Sequence, residues 1–388
     1  MPSERDLLMI PGPITFDPAV LRVMSTPTPS HIAPSFRESF GMCLERIREV
    51  FLGSGQPFII AGTGTLAMEL GVSNLVERGD RVLVCDSGYF GDRYVNIIER
   101  LGVQVDVLKT PIGDTNSPSQ IEEKLEEFDY KVLTVTQVDT STAVLNPIKE
   151  IGNRVKNFDT LLVVDGVCAA AGEETRFDDW NIDVYFTASQ KAIGVPPGLA
   201  LLMFSSNALE AHKSRKSAVI SYYCDLANWL PIMQAYEKRQ PAYLGTPAVN
   251  LILALEKSTE QILDEGIEAC FNRHTIMDSA IKAGVQALGL ETVPLNEEKS
   301  AHTLTAPYYP DGVDGDQFRM NMQENGVIVA GGLLSEIKSK YFRIGHMGRI
   351  TASDVLATIG AIERSLIACD HSIEPGQGLA KAQHALCK

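Results

Sequence analysis

Leu161-Leu162-Val163-Val164-Asp165 and Val184-Tyr185-Phe186-Thr187-Ala188-Ser189-Gln190-Lys191 are the stretches whose reading decides the fold. Each is a short, nearly continuous apolar run that leads to a chargeable residue. Runs of this length, apolar at almost every position, fit strands covered on both faces, as in a parallel sheet between helix layers. In open sheets of that kind, ligands bind at the carboxyl ends of the strands. Asp165 and Lys191 stand at successive strand ends, so the pattern predicts that they face one site. Lys191 is also wedged between Thr187-Ala188-Ser189 and the stiff turn Gly194-Val195-Pro196-Pro197-Gly198.

Outward from that pair the same texture repeats. β-rich runs at Phe58–Ala61, Arg81–Cys85, Val103–Leu108, Lys131–Gln137, Thr160–Val164, Val184–Ala188 and Leu199–Phe204 alternate with helical periodicity, for example Leu66, Leu70, Val72 and Leu75. Strands alternating with helices predict βαβ units. The fold class is therefore α/β: a large domain with a mostly parallel, seven-stranded sheet covered by helices. Past Leu255 a long helical stretch (Ile262 to Leu288) leads to sparser strands at His302–Ala306, Val327–Ala330 and Tyr341–Ile344, then a closing helix over Thr351–Ala368. These predict a smaller α+β C-terminal domain. The expected division is an N-terminal arm over 1–15, a large domain over 16–260, and a small domain over 261–388 with a loose tail from about 371.

A glycine-rich turn, Ala61-Gly62-Thr63-Gly64-Thr65-Leu66-Ala67, joins the first of these strands to its helix. Unpaired N–H groups and the positive end of the dipole make such a helix start a phosphate seat, and Thr63 and Thr65 add hydroxyls. Gly62, Gly64 and Ala67 also satisfy G-x-G-x-x-A, with Asp86 closing the next strand, a formal dinucleotide fingerprint. The turn alone leaves open a dinucleotide, a monophosphate cofactor or a plain tight turn.

Composition removes several classes. The chain has 388 residues, 34 Lys plus Arg against 49 Asp plus Glu, and a net charge of −15, which argues against a binder of nucleic-acid backbone. No apolar run approaches a membrane span. Seven cysteines without a CxxC and seven scattered histidines support neither a disulfide framework nor a zinc cage. The N-terminal residues, with Glu4 and Asp6 around Arg5, lack the features of a secretory or mitochondrial leader. The ending Leu386-Cys387-Lys388 lacks the final Leu of a peroxisomal address. A cytoplasmic location is the expectation.

A lysine, a carboxylate and a phosphate seat in one βα framework are what pyridoxal 5′-phosphate requires. The lysine attaches the cofactor, and the acid keeps its pyridine nitrogen protonated so that the ring draws electrons. Here the sequence resembles the class V aminotransferases of fold type I, most of all the alanine–glyoxylate and serine–pyruvate aminotransferase group. The resemblance runs to about Ala368. It is carried by Ile10-Pro11-Gly12-Pro13, Gly62-Thr63-Gly64-Thr65, Ser87-Gly88-Tyr89-Phe90-Gly91, Val138-Asp139-Thr140-Ser141-Thr142, Val164-Asp165, Thr187-Ala188-Ser189-Gln190-Lys191, Tyr243-Leu244-Gly245-Thr246-Pro247 and Arg343-Ile344-Gly345.

The resemblance implies roles. Lys191 binds the cofactor covalently and then moves the Cα proton, and Asp165 pairs with the ring nitrogen. Phe90 stacks on the ring, where many relatives carry Trp. Thr63, Gly64 and Thr65 hold the phosphate, with Thr65 where the family often has His. Thr140 lies near the ring hydroxyl, and Gln190 reaches the phosphate. Tyr243 and Thr246 reach it from the second subunit of a homodimer with shared active sites. Arg343 and Gly12 bind the substrate, Arg343 as a guanidinium fork for the carboxylate. The implied reaction is ping-pong transfer of an amino group from alanine, with serine as an alternative donor, to glyoxylate. Gln190 before Lys191, and the lack of any Cys between Cys270 and Cys369, set the chain apart from the related cysteine desulfurases. The competing reading is an NAD-dependent oxidoreductase built on Gly62, Gly64, Ala67 and Asp86.

Overall fold

The apolar runs become strands, and an alternating run forms one edge of the large sheet. A computed structural model describes residues 6–387; the first five residues of the expected arm and Lys388 of the expected tail lie outside the described residues. Among the described residues the strands are, in chain order, β1 (Leu7–Met9), β2 (Gln56–Ala61), β3 (Arg81–Asp86), β4 (Gln104–Lys109), β5 (Val132–Thr136), β6 (Val138–Asp139), β7 (Val144–Leu145), β8 (Leu161–Asp165), β9 (Val184–Ala188), β10 (Leu199–Phe204), β11 (Leu304–Thr305), β12 (Val327–Gly331) and β13 (Phe342–Gly345).

Seven of them form the large sheet, in the order β2-β10-β9-β8-β5-β3-β4. β10 runs antiparallel to both its neighbours, and the other pairs are parallel. Every residue of β5, β8, β9 and β10 is buried, because helices cover both faces. β2 is one edge strand, and β4 is the other. Its sequence Gln-Val-Asp-Val-Leu-Lys alternates, and none of its residues is fully buried.

The parallel arrangement sets the site. The carboxyl ends of β2, β3, β5, β8 and β9 fall on one edge of the sheet, with Asp165 opposite both Thr136 and Phe186 in register. The chain leaves that edge through the glycine turn, through Gly88, through the hairpin β6–β7, and through the segments after Asp165 and Ala188.

A second sheet, ordered β1-β12-β13-β11, carries Arg343 in β13. β1 lies parallel to β12, so the N-terminal arm is a strand of the small sheet. The helices differ from the sequence pattern in two places. The expected continuous helix from Ile262 to Leu288 is two helices, Val249–Glu265 and Ile267–Ala287. They are separated at Gly266, whose φ of +89° breaks the α-helical path. The tail expected to be loose from 371 instead holds a helix, Gln377–Leu386, docked on the helices Ile267–Ala287 and Ala352–Ala368. Buried Glu363 fixes it by accepting from the N–H groups of Gly376, Gly378 and Leu379, an anion at a helix start. That partnership spans a turn and leaves no periodic signal in the sequence.

Candidate active site

The segment after β9 places Lys191 inside the protein, 8% exposed. Its Nζ donates to the carbonyl of Pro11 and lies 3.4 Å from Sγ of Cys168. Pro11 reaches it because β1 sits in the small sheet and carries the chain back across the site. Gly12 is required there for two reasons. Its φ is +93°, and a Cβ would fall 2.6 Å from Cδ of Lys191. Gly12, expected at the substrate, thus shapes the lysine's channel.

Asp165 ends β8, 2% exposed. One oxygen accepts from the Val167 N–H at 2.8 Å, and no cation pairs with the carboxylate among the described residues. Burial is the main force on it and pushes its pKa up to about 7. The Val167 bond opposes this, the neighbouring Asp139 charge adds to it, and Lys191 and Arg93 oppose it. A buried carboxyl with so little compensation is suited to a cationic partner such as a protonated ring nitrogen.

Thr63, Gly64 and Thr65 start the helix Gly64–Ser73, and the Thr63 side chain makes no capping bond, so the first-turn N–H groups face outward free. A Cβ on Gly64 would lie 3.1 Å from Val167, so this turn lies directly over the residues that follow Asp165. The side chain of Gln190 has a buried oxygen, Oε1, without any partner. Phe90 is half-buried, and its N–H donates to Asp139 at 3.1 Å. Thr140 Oγ1 is 2.7 Å from Cys168 Sγ, which ties it to the lysine's surroundings.

Arg343 reaches over from the small sheet. Its Nε donates to the Gly331 carbonyl at 2.8 Å and its Nη1 to the Thr140 carbonyl at 3.2 Å. Burial lowers its pKa from the ordinary guanidinium value, against the nearby Tyr341, Cys168 and Asp139. It forms no ion pair among the described residues, and a desolvated guanidinium held only by carbonyls is a ready carboxylate site.

The structure therefore gathers Thr63, Gly64, Thr65, Phe90, Thr140, Asp165, Gln190, Lys191, Gly12 and Arg343 around one sheet edge and the neighbouring small sheet. It does not gather Tyr243 and Thr246. They lie in the exposed stretch before the helix Val249–Glu265, with Tyr243 65% exposed and 5.7 Å from the ring of His31. Asp86 is also excluded. It accepts from Gly88 at 2.9 Å, meets Lys109 at 3.4 Å, and lies so close under Gly91 that a Cβ there would come within 2.3 Å of its oxygen. It locks its own turn and offers nothing to a ribose at Gly62.

Three contributors had no role in the sequence reading. Asp139 is fully buried and organises the entrance by accepting from Phe90 N and from both N and Oγ of Ser141. Gly88 accommodates it, since a Cβ there would lie 2.6 Å from its carboxyl. Tyr341 donates to the Ser141 carbonyl at 2.5 Å and accepts from the N–H groups of Leu333 and Leu334. It thereby pins the strand that carries Arg343 to the large domain. Cys168 touches both Lys191 and Thr140. The run Asp139-Thr140-Ser141-Thr142 was the available signal for the first; nothing local marks the other two.

Comparison with known proteins agrees with this geometry. The family described as aminotransferase class-V matches residues 30–353. The chain belongs to the class V aminotransferases. Alanine–glyoxylate aminotransferase 1 of Saccharomyces cerevisiae is 38% identical over 364 residues, covering 90% of this chain and 93% of that one. An uncharacterised aminotransferase of Methanocaldococcus jannaschii is 36% identical over 365 residues, covering 94% and 93%. Among solved structures, the ureidoglycine–glyoxylate aminotransferase of Bacillus subtilis superposes with a TM-score of 0.93 at 29% identity, over 99% of this chain and 98% of that one. As a class V aminotransferase of fold type I, the protein is a transaminase that uses pyridoxal 5′-phosphate. The dinucleotide reading falls with Asp86. The residues present fit the cofactor: an under-compensated buried acid, a buried lysine, an uncapped helix start and an orphaned glutamine oxygen. Among the described residues, no helix is long and apolar enough to cross a membrane.

Proposed function

We propose that this protein transfers the amino group of alanine to glyoxylate, giving pyruvate and glycine. The observation that carries an amino-acid substrate is Arg343, suited to an α-carboxylate: part-buried, held by two backbone carbonyls and unpaired with any acid among the described residues, beside Thr140. Alanine and glyoxylate as the pair are supported by the likeness to the yeast enzyme of that name.

When bound, pyridoxal phosphate supplies an aldehyde carbon for nitrogen exchange and a ring that takes up the electron pair released at Cα. Arg343 grips the substrate carboxylate and fixes which Cα bond faces the ring. Asp165 would pair with the protonated ring nitrogen and so keep the ring electron-poor. Lys191, freed by the incoming amine, accepts the Cα proton on Nζ, and the Pro11 carbonyl and Cys168 hold that nitrogen in place. Phe90 would cover one face of the ring and exclude water, and Thr140 would stand on the side of the ring hydroxyl. Thr63, Gly64, Thr65 and Gln190 anchor the phosphate.

The active unit in this reading is a homodimer. Ile220 and Tyr222 are 87% and 71% exposed, and Tyr223 in the same segment donates to the Ala61 carbonyl beside the glycine turn. An apolar surface next to the phosphate seat is suited to cover by a second copy, whose Tyr243 and Thr246 would complete the seat.

A half-reaction screen tests the substrate assignment. The cofactor's absorbance is followed as the holoenzyme meets alanine, serine, glycine and aspartate in turn, then glyoxylate or pyruvate. Alanine and glyoxylate are expected to give the fastest conversion. Faster turnover with serine or aspartate overturns the assignment while leaving the transaminase intact.

A further inference from the structure

Arg93 has no role in the scheme above, yet its guanidinium stands at the phosphate seat. It donates to Oγ1 of Thr65 at 3.0 Å, on the first turn of the helix Gly64–Ser73. Its carbon lies 4.9 Å from the ring centre of Phe90 and 5.1 Å from that of Tyr89, with a second nitrogen 3.4 Å from the Tyr89 hydroxyl. No carboxylate pairs with it among the described residues.

Charge arithmetic shows what the seat lacks. A phosphate monoester carries about −1.5 to −2 near neutral pH. A helix start offers roughly half a positive charge. Thr63, Thr65 and Gln190 add dipoles but no charge. Lys191 is committed to the cofactor's aldehyde carbon, and Arg343 is turned to the carbonyls of Gly331 and Thr140. In a chain of net charge −15 the residual negative charge of the phosphate needs a local cation. Arginine has five N–H donors in a fixed fork. Two of the nitrogens contact Thr65 and Tyr89, which leaves donors free beside the first-turn N–H groups.

We propose that Arg93 is the cation of the phosphate seat, binding the cofactor's phosphate beside Thr65 while the rings of Phe90 and Tyr89 pack against its guanidinium. The inference rests on the reading that Thr63, Gly64 and Thr65 hold the phosphate. The aromatic contacts orient the fork, so that a lysine at this position would supply charge without geometry.

The test compares pyridoxal phosphate with pyridoxal, which lacks the phosphate. Full-length wild type, Arg93→Gln and Arg93→Lys are stripped of cofactor by dialysis and titrated with each compound, reading the absorbance band that depends on Lys191. Arg93→Gln is expected to weaken pyridoxal phosphate binding on the order of ten- to a hundred-fold, with pyridoxal changed less than about two-fold. Arg93→Lys should fall between. Wild-type affinity for pyridoxal phosphate should decline with salt more steeply than that of Arg93→Gln. Equal weakening for both compounds would show a packing role and overturn the proposal. So would an unchanged pyridoxal phosphate affinity with a raised KM for a dicarboxylic amino acid, which would reassign Arg93 to substrate. Should Thr65→Val and a Gly64 variant leave phosphate-dependent affinity intact while Arg93→Gln reduces it, the phosphate is held away from the helix start, the seat reading fails, and the placement of Arg93 beside Thr65 in that seat fails with it.

Discussion

Two buried clusters of charge flank the segment from Asp165 to Glu173, and they are built on opposite principles. On one side Asp165, Lys191 and Arg343 form no ion pair among the described residues. Asp165 has one backbone donor, Lys191 a carbonyl and a thiol, and Arg343 two carbonyls. On the other side Glu173 binds the ring and backbone of His302, and Asp278 binds Lys282 at 2.6 Å with His346 at 3.6 Å. Burial alone would lower the His302 pKa, but the Glu173 bond and charge raise it on balance. The second cluster neutralises itself and joins the large domain to the small one. The first waits for charges that a cofactor and substrate bring. Burying unpaired ionisable groups costs several kcal/mol, so folding alone does not account for the first cluster, and its chemistry does.

The largest expected effect breaks the first cluster outright. Lys191→Ala should abolish transamination by several orders of magnitude and remove the borohydride-trappable chromophore, while circular dichroism stays native. A residual, lysine-independent yellow band with turnover would refute its role.

Next comes Arg343→Ala. Loss of a charge-assisted fork of about 2–3 kcal/mol should raise the amino-acid KM roughly 30- to 150-fold, with the cofactor spectrum unchanged. Steady-state kinetics decide it; an unaltered KM would move the carboxylate site elsewhere.

The comparison also predicts a pH signature. In the cofactor-free chain the folded-state pKa of Asp165 lies near 7, above its unfolded value. Its contribution to stability is therefore complete below about pH 4 and is lost as pH rises through about 7. Denaturant unfolding should show stability falling across that window, and Asp165→Asn should flatten the fall. Asp278, raised to about 7 chiefly by burial despite Lys282, adds to the remaining slope, as do Asp86, Asp139 and Asp183, whose carboxyls burial also raises. An identical slope in wild type and Asp165→Asn would show that the acid is already paired.

The smallest effect on activity belongs to the self-paired cluster. Glu173→Gln should cost about 1–3 kcal/mol of stability by weakening the bonds to His302, seen as a lower urea midpoint, with kcat changed only slightly. A large loss of activity with no loss of stability would mean that this cluster also serves the chemistry.

Much of this contrast is written locally. β8 and β9 are legible because their residues are apolar throughout, and their ends mark Asp165 and Lys191 without any tertiary knowledge. The glycine turn is equally legible as a helix start, though not as a choice between phosphates. That choice required Asp86 to be seen locked against Gly88 and Gly91, a contact between a strand end and the first turn of the next helix. Cys168, Tyr341 and Arg93 escape notice because a buried thiol, a buried tyrosine and a helical arginine are each commonplace, and only their neighbours give them roles. The docked C-terminal helix was missed for the same reason: Glu363 sits in the middle of an otherwise ordinary helix.

By itself, then, the sequence determined the alternation of strands and helices, the family, and the two residues at the strand ends, since hydrophobic period and strand polarity are local properties. The tertiary structure decided which charges remain unpaired. It brought Pro11 from the N-terminal strand onto Lys191, carried Arg343 across from the second sheet, and placed Arg93 beside Thr65 with no acid paired to it among the described residues. Pairing in a buried site depends on distances between segments far apart in the chain, and such distances exist only once the two sheets have packed.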